Sequence, residues 1–321
     1  MSEIWVPTDF HASSFAKSGV NPDKLVVIPE SVDVDAFNPD TSLPLERLPG
    51  YPETQDHFKF LSIFKWEARK GWDILARAFY EEFTQQDNVT LYLLTNAFHP
   101  EKGLNFTDEV RKIGVQVCEA AGRHIDSLPG LIMIDTHVPQ TDLPRLYKSV
   151  QAFVLPTRGE GWGRPIAEAM SMGLPTIATA WSGPTQFMNE TNSYPLPIEG
   201  LTMIEQPPWK GHYWAEPNRA ELRRLMREVV SNPEAARERG ANARADALHR
   251  WSPSCGLTCD QQQVHNAREG LVREKERSGG WKESPDGSAS CHTTLSTTKK
   301  TLHDPYLTSN QACRRPRFTP W

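Results

Sequence analysis

Long apolar runs are missing from this sequence. Nowhere do roughly eighteen hydrophobic residues follow one another, so hydropathy identifies no membrane-spanning helix. Positive charge is not in excess either. The formal net charge of −5 argues against a nucleic-acid binder, which would usually be basic. Cysteine is scarce, 5 in 321 residues. Cys118 stands apart, and Cys255, Cys259, Cys291 and Cys313 lie in a polar C-terminal stretch without matching His or Cys pairs. No zinc site is expected from such spacing, and a reduced, cytoplasmic chain is the expectation. The start, Met1-Ser2-Glu3-Ile4-Trp5, has neither the basic region nor the apolar core of a signal peptide. No Gly-x-Gly-x-x-Gly follows the first strand of the main sheet, which argues against a nicotinamide-dependent enzyme. Hydrophobic residues make up only 38% and prolines number 26, so part of the chain is expected to stay unpacked.

What the sequence does contain is an alternation of apolar strands and amphipathic helices. Near the start, Glu3 to Thr8 and Lys24 to Pro29 read as buried strands around a short helix from Asp9 to Lys17. Residues 40–57 are Pro-rich and read as a connector. From Phe58 onward strands are predicted at 58–64, 89–95, 131–135, 152–156 and 175–180. Helices are predicted between them at 72–83, 108–121, 143–148 and 165–172. That order implies β-α-β units and a parallel sheet: an α/β, Rossmann-like domain flanked by helices. Residues 182–216 read as a Trp- and Pro-rich loop, in which Trp209, His212, Tyr213 and Trp214 either border a cleft or pack on the sheet edge. Asn218-Arg219-Ala220-Glu221 reads as a capping box opening the first of two closing helices. Beyond Ser252 the residues are polar and aperiodic and bury too little to offset ordering entropy, so disorder is expected. The resulting division is 1–57, 58–251 and a disordered tail, 252–321.

One segment carries the chemistry: Thr157-Arg158-Gly159-Glu160-Gly161-Trp162-Gly163-Arg164-Pro165-Ile166-Ala167-Glu168-Ala169-Met170. It follows an apolar strand. Gly161 and Gly163 let backbone approach a ligand. Pro165 can open a helix whose free amides and positive dipole end attract an anion. Glu160 and Glu168 add acceptors for hydroxyl groups, Glu160 for a sugar and Glu168 for a ribose diol. A ligand with both phosphates and hydroxyls is a nucleotide or a nucleotide sugar. Trp162 either stacks on that ligand or covers the core.

A second segment, Phe64-Lys65-Trp66-Glu67-Ala68-Arg69-Lys70-Gly71, also lies between a strand and a helix. In open α/β sheets ligands bind at that carboxyl edge. Lys65 and Lys70 are therefore candidates to hold a diphosphate and stabilise it as it leaves, and Arg69 is expected to be exposed. The bland alternative is a solvated basic turn. His11 and His57 read as ordinary surface residues.

These segments resemble family-4 retaining glycosyltransferases of the GT-B architecture, specifically their C-terminal donor-binding domain. Lys65 stands in place of the family's Arg, and Lys70-Gly71 matches its Lys-Gly. Glu160-Gly161-Trp162-Gly163 resembles the family's Glu-Gly-Phe-Gly, and Glu168-Ala169-Met170 its Glu-Ala-Met. Ala180-Trp181-Ser182-Gly183-Pro184 resembles the turn after the next strand, with Thr185 where many members have Glu. Pro7-Thr8-Asp9-Phe10 and Ile28-Pro29-Glu30-Ser31-Val32-Asp33 resemble the exit from the family's first domain. The resemblance spans residues 1 to about 250. It implies sugar transfer from a nucleotide-sugar donor with retention, without a metal or other cofactor. By it Glu160 contacts the hexose, Glu168 the ribose, and Lys65 and Lys70 the diphosphate, with the amides of Gly161, Trp162 and Gly163 lining the pocket. It also implies that most of the acceptor-binding domain is absent here, leaving the acceptor unknown and a partner to supply the missing half. The competing expectation is a non-catalytic fragment or interaction module.

Overall fold

A computed structural model of the chain describes residues 2–50, 54–97, 105–134, 137–205 and 207–253. All of them lie in one compact unit, Met1–Arg268. The expected disordered tail falls outside the described residues, apart from Ser252 and Pro253, as do its four cysteines.

The chain opens with β1 (Ile4–Val6), α1 (Asp9–Lys17) and β2 (Leu25–Val27), in which β1 and β2 form their own parallel pair. Thr8 caps α1 by accepting from the His11 amide at 3.2 Å. The first strand is less buried than its apolar letters imply, with Trp5 exposed and Val6 buried. The stretch between β2 and the main sheet is packed. Val32, Val34 and Phe37, ahead of the Pro-rich connector, and Leu48 within it join the main core. The Arg244 guanidinium also ties this stretch down, donating to the carbonyls of Val34 at 3.0 Å and Phe37 at 2.9 Å.

The body alternates as predicted: β3 (Phe58–Trp66), α2 (Trp72–Glu82), β4 (Val89–Ala97), α3 (Phe106–Ala121), β5 (Gly130–Ile134), α4 (Leu143–Lys148), β6 (Ala152–Leu155), α5 (Arg164–Ser171) and β7 (Thr176–Thr179). With β8 (Tyr194–Leu196) these strands build one sheet in the order β5-β4-β3-β6-β7-β8, every neighbour parallel. A sheet covered on both faces needs continuous apolar strands, and all residues of β6 and β7 are buried. Helix α2 turns Ile74, Leu75, Ala78 and Phe79 to the core, the face read from its spacing. Asn105 caps α3 and Gly122 ends it in the left-handed conformation at φ 62°.

The predicted loop at 182–216 is more ordered than expected. It supplies β8 and an antiparallel hairpin of β9 (Ile198–Met203) and β10 (Tyr213–Pro217). The half-polar letters of β9 hide a strand whose partner lies across a long tip. Helices α6 (Arg219–Ser231) and α7 (Pro233–Arg250) close the unit. Asn218 accepts from the Glu221 amide at 2.8 Å, one of the two bonds of a capping box. Ala236, Gly240, Ala243 and Ala247 form the buried face of α7. A methyl group at Gly240 would lie 2.1 Å from the Gly173 carbonyl, so this close approach requires glycine.

The sheet's architecture determines where a ligand can sit. From β3 the order runs outward to β4 and β5, and from β6 it runs the other way to β7 and β8. Connections diverge at the β3–β6 boundary, which opens a crevice at the carboxyl ends of those strands.

Candidate functional site

Both chemistry-bearing segments converge on that crevice. After β3 the chain makes a single tight turn, Ala68–Lys70, then enters α2 through Gly71 at φ 68°. A Cβ at Gly71 would lie 1.9 Å from the Pro156 carbonyl, so the turn is pressed against the end of β6. The Arg158 amide donates to the Arg69 carbonyl at 2.7 Å and locks the two segments together.

The side chains meet there as well. Lys70 Nζ donates to both oxygens of Glu160, at 2.7 and 2.8 Å. This pair is largely shielded, the lysine side chain 12% exposed and the glutamate 8%. Arg69 keeps more than a third of its side chain exposed, as expected, yet its guanidinium also reaches the cluster. It donates to the Gly159 carbonyl and lies 3.3 Å from Glu160. Three charged groups from two segments about ninety residues apart in sequence thus share one spot, with |i−j| of 90 for Lys70 and Glu160.

Beneath this cluster lies Arg158, whose side chain is only 8% exposed. It forks onto Asp73 at 2.9 and 2.8 Å, bonds Glu216 at 3.0 and 3.1 Å, and donates to the Ala68 carbonyl. The ring of Trp214 lies 5.3 Å from the guanidinium carbon. The arginine therefore links the lysine-bearing turn, the start of α2 and the β9–β10 hairpin. Its two carboxylate partners raise its pKa further, against the opposing effect of burial.

Glu168 sits inside α5 and is 7% exposed. The Tyr147 hydroxyl donates to its Oε2 at 3.0 Å. Burial pushes the Glu168 carboxyl above the usual range, opposed by that hydrogen bond and by the Arg164 charge. The Tyr147 hydroxyl is pushed well up by its own burial and by the neighbouring carboxylate.

The structure moves Lys65 out of the turn and takes one of the two alternatives for Trp162. Strand β3 runs two residues further than its apolar letters, pairing Lys65 with Asn96 and Trp66 with Ala97. Lys65 is therefore an exposed strand residue and not part of the turn. The extension is favoured by Trp66, which stacks on Trp72 at 4.1 Å and Phe106 at 4.6 Å. The Trp162 side chain covers the core. It is 4% exposed and packs on Phe187 at 4.9 Å and Trp251 at 5.9 Å. Its backbone stays at the mouth of the crevice between Gly161, whose Cα faces open space, and Gly163 at φ 100°. Among the described residues, the amides of Gly161, Trp162 and Gly163 have no backbone or side-chain acceptor.

Ser182 completes the rim from the loop after β7. Its Oγ accepts from the Glu160 amide at 2.9 Å, and the Gly183 amide donates to the Glu160 carbonyl at 3.1 Å. Ser182 does so at φ 61° and ψ −143°, a conformation that L-residues seldom adopt. In the aromatic loop Trp209 and Tyr213 are exposed on the hairpin, whose other end is tied to the crevice by the Ala215 amide donating to the Arg158 carbonyl at 3.0 Å. His11 contacts Thr8 Oγ1 at 2.6 Å, and burial lowers its pKa. His57 contacts Thr90 Oγ1 at 2.8 Å.

Arg69, Arg158, Tyr147 and Ser182 are site neighbours to which the sequence assigns no role. Arg158, Arg69 and Ser182 each lie within or beside a quoted motif segment, whereas Tyr147 had no such local signal.

This arrangement pairs fixed cations with carboxylates beside free amides, at the switch point of a parallel sheet. Comparison with known proteins narrows its meaning. Residues 56–200 match the model of glycosyl transferases group 1. Over 43 residues the chain is 49% identical to the O-antigen chain mannosyltransferase B of Escherichia coli, a stretch covering 13% of this chain and 11% of that protein. Solved structures share the fold. The Anabaena protein HepE in complex with UDP superposes with a TM-score of 0.62 at 17% identity, covering 84% of this chain and 64% of that one. A glycosyltransferase from Rickettsia africae gives 0.58 at 17%, covering 84% and 64%. Sucrose-phosphate synthase from Thermosynechococcus elongatus gives 0.55 at 17%, covering 82% and 58%. The fold is the Rossmann-like α/β architecture of the GT-B glycosyltransferases, and the chain spans less than two thirds of each of these proteins. Among the described residues, no helix is long and apolar enough to cross a membrane.

Proposed function

We propose that this chain supplies the donor-binding part of a family-4 retaining glycosyltransferase acting in the cytoplasm on a nucleotide-sugar donor. Lys70, joined by Arg69, holds the diphosphate. Glu160 accepts from the hexose hydroxyls and Glu168 from the ribose diol. The amides of Gly161, Trp162 and Gly163 line the sugar-phosphate pocket, and Lys65 adds positive charge at the rim. No metal is needed, because the cations that neutralise the leaving group are side chains already fixed beside it. A partner or further domain provides the acceptor half of the cleft.

The observation that carries this reading is the Lys70–Glu160 ion pair, 2.7 Å, at the β3–β6 switch point. In the free protein each charge satisfies the other. A bound donor exchanges both partners: its diphosphate takes the cation, and its sugar hydroxyls take the carboxylate. When the bond from the anomeric carbon to the diphosphate breaks, charge grows on the oxygen next to Lys70 and Arg69. Stabilisation of that charge by preorganised groups is the main lever of such sites. An acceptor hydroxyl then bonds to the anomeric carbon on the face the diphosphate leaves, and its proton passes to the departing diphosphate oxygen.

Titration calorimetry with UDP-glucose, UDP-N-acetylglucosamine and GDP-mannose tests donor binding. Heat with at least one donor, lost in Glu160→Gln and Lys70→Ala, is expected. Nuclear magnetic resonance of the first-formed anomer tests retention when a transfer or donor hydrolysis is observed. No heat from any donor, with the protein shown to be folded, overturns the reading.

A further inference from the structure

We infer that Tyr147 is a positioning residue for nucleotide recognition. It fixes the Glu168 carboxylate so that it receives the vicinal diol of a ribose. The inference rests on the donor-binding reading above and adds to it a residue from a different element, α4, outside both motif segments.

Three observations carry it. The Tyr147 ring is fully buried, with Phe37 and Phe153 each 5.9 Å away between ring centres, so the ring cannot swing. Its hydroxyl donates to Glu168 Oε2 at 3.0 Å, and the Pro165 carbonyl lies 3.2 Å from the same oxygen. The tyrosine thus touches both the carboxylate and the first turn of the helix that bears it. Among the described residues, Tyr147 is also the hydrogen-bond donor to the Glu168 carboxylate.

The geometry has a chemical consequence. An ionised carboxylate offers about four lone-pair sites. Tyr147 occupies one on Oε2 and leaves Oε1 wholly available, with a second lone pair on Oε2. Two adjacent hydroxyls of a ribose can donate to such a pair of oxygens in parallel. A lone carboxylate in this place would be free to rotate and, being buried, would be drawn toward its neutral form, which accepts poorly. The tyrosine opposes both tendencies at once. A purely architectural tyrosine would need its ring and could dispense with its hydroxyl. Here the hydroxyl is aimed at the one carboxylate of the motif that lies inside a helix.

The test compares UDP and GDP with their 2′,3′-dideoxy counterparts by calorimetry, in the wild-type protein and in Tyr147→Phe, Glu168→Ala and the double variant. Circular dichroism in the near ultraviolet confirms the fold of each. Wild type should prefer the ribonucleotide, and Glu168→Ala should remove that preference. Tyr147→Phe keeps the ring and should reduce the preference roughly tenfold, the size of one charged hydrogen bond, while leaving dideoxynucleotide affinity unchanged. In the Glu168→Ala background Tyr147→Phe should change nothing further, because the two act as one unit. A preference lost in Glu168→Ala but intact in Tyr147→Phe would leave the donor reading standing and overturn the role of Tyr147. A preference intact in Glu168→Ala, or no binding of either ribonucleotide to the folded wild type, would overturn the ribose assignment and this inference with it.

Discussion

The crevice between β3 and β6 and the opening β1–α1–β2 segment are both built from strand-turn-helix pieces, yet they are held in opposite ways. At the crevice every turn is fixed more than once. Gly71 abuts Pro156, Arg158 bonds the Ala68–Lys70 turn through backbone and side chain, and Ser182 accepts from Glu160. At the N-terminus α1 buries no residue. Its links to the loop after β7 are the Phe10–Trp181 ring contact at 5.2 Å and the paired hydrogen bonds of Asp9 and Gln186, at 2.9 and 3.3 Å. Polar groups specify geometry when they are shielded and multiply partnered, whereas the same kinds of group at an exposed contact contribute little.

Substitutions sharpen or break that contrast. The largest effect is expected for Arg158→Ala. It strands Asp73 and Glu216 and should cost roughly 2–4 kcal/mol of stability, somewhat below a wholly buried pair because its carboxylate partners keep some solvent. Denaturant unfolding measures it, and a loss under ~0.5 kcal/mol would remove Arg158 as the organiser of the rim. Next comes Lys70→Ala, which should weaken UDP or GDP binding by about 1.5–3 kcal/mol, roughly ten- to a hundredfold in Kd. Unchanged titrations would separate the ion pair from ligand binding.

Glu168→Gln should have a smaller, pH-dependent effect on folding. The folded carboxyl has a pKa above its ordinary value of 4.5. The folded state therefore holds the proton more tightly, and wild type loses stability as pH rises from that value through the raised one. Glutamine escapes this loss. The variant should be the more stable protein at pH 8, and the difference should shrink as pH falls below the ordinary carboxylate value. Thermal melts across pH measure it; a constant difference would contradict burial as the cause. The smallest effect is expected for Asp9→Ala, within about 0.5 kcal/mol. A larger loss in the same melts would show the N-terminal segment to be as firmly held as the crevice.

Much of the fold was legible because its periods are local. The parallel strands are short apolar runs, and α2 and α3 carry their stripes within a few turns. The convergence of the two motif segments was legible too, since each lies between a strand and a helix. What escaped was non-local or turned on a few residues. Arg158 finds its carboxylates 85 and 58 positions away, and nothing near Asp73 or Glu216 announces the pairing. Lys65 was assigned to the turn because β3 was ended at its last aliphatic-aromatic run, while aromatic stacking carries the strand to Trp66. Arg69 keeps a local partner in Glu67 at 3.5 Å, and its reach to Glu160 and the Gly159 carbonyl is the non-local part that its own segment does not announce. Trp162 had two readings, and the apolar wall formed by Phe187 and Trp251 decides its side chain in favour of packing.

Ser182 shows what kind of residue such a place selects. A glycine at φ 61° would be at ease there, and the backbone alone would favour it. Glycine, however, has no hydroxyl to offer the amide behind Glu160. The chain accepts an awkward bend of order 1–3 kcal/mol in one link so that another link keeps its aim. Improvement of this protein for heat resistance would find position 182 an inviting target, and relief there would come with a loosened grip on whatever Glu160 holds.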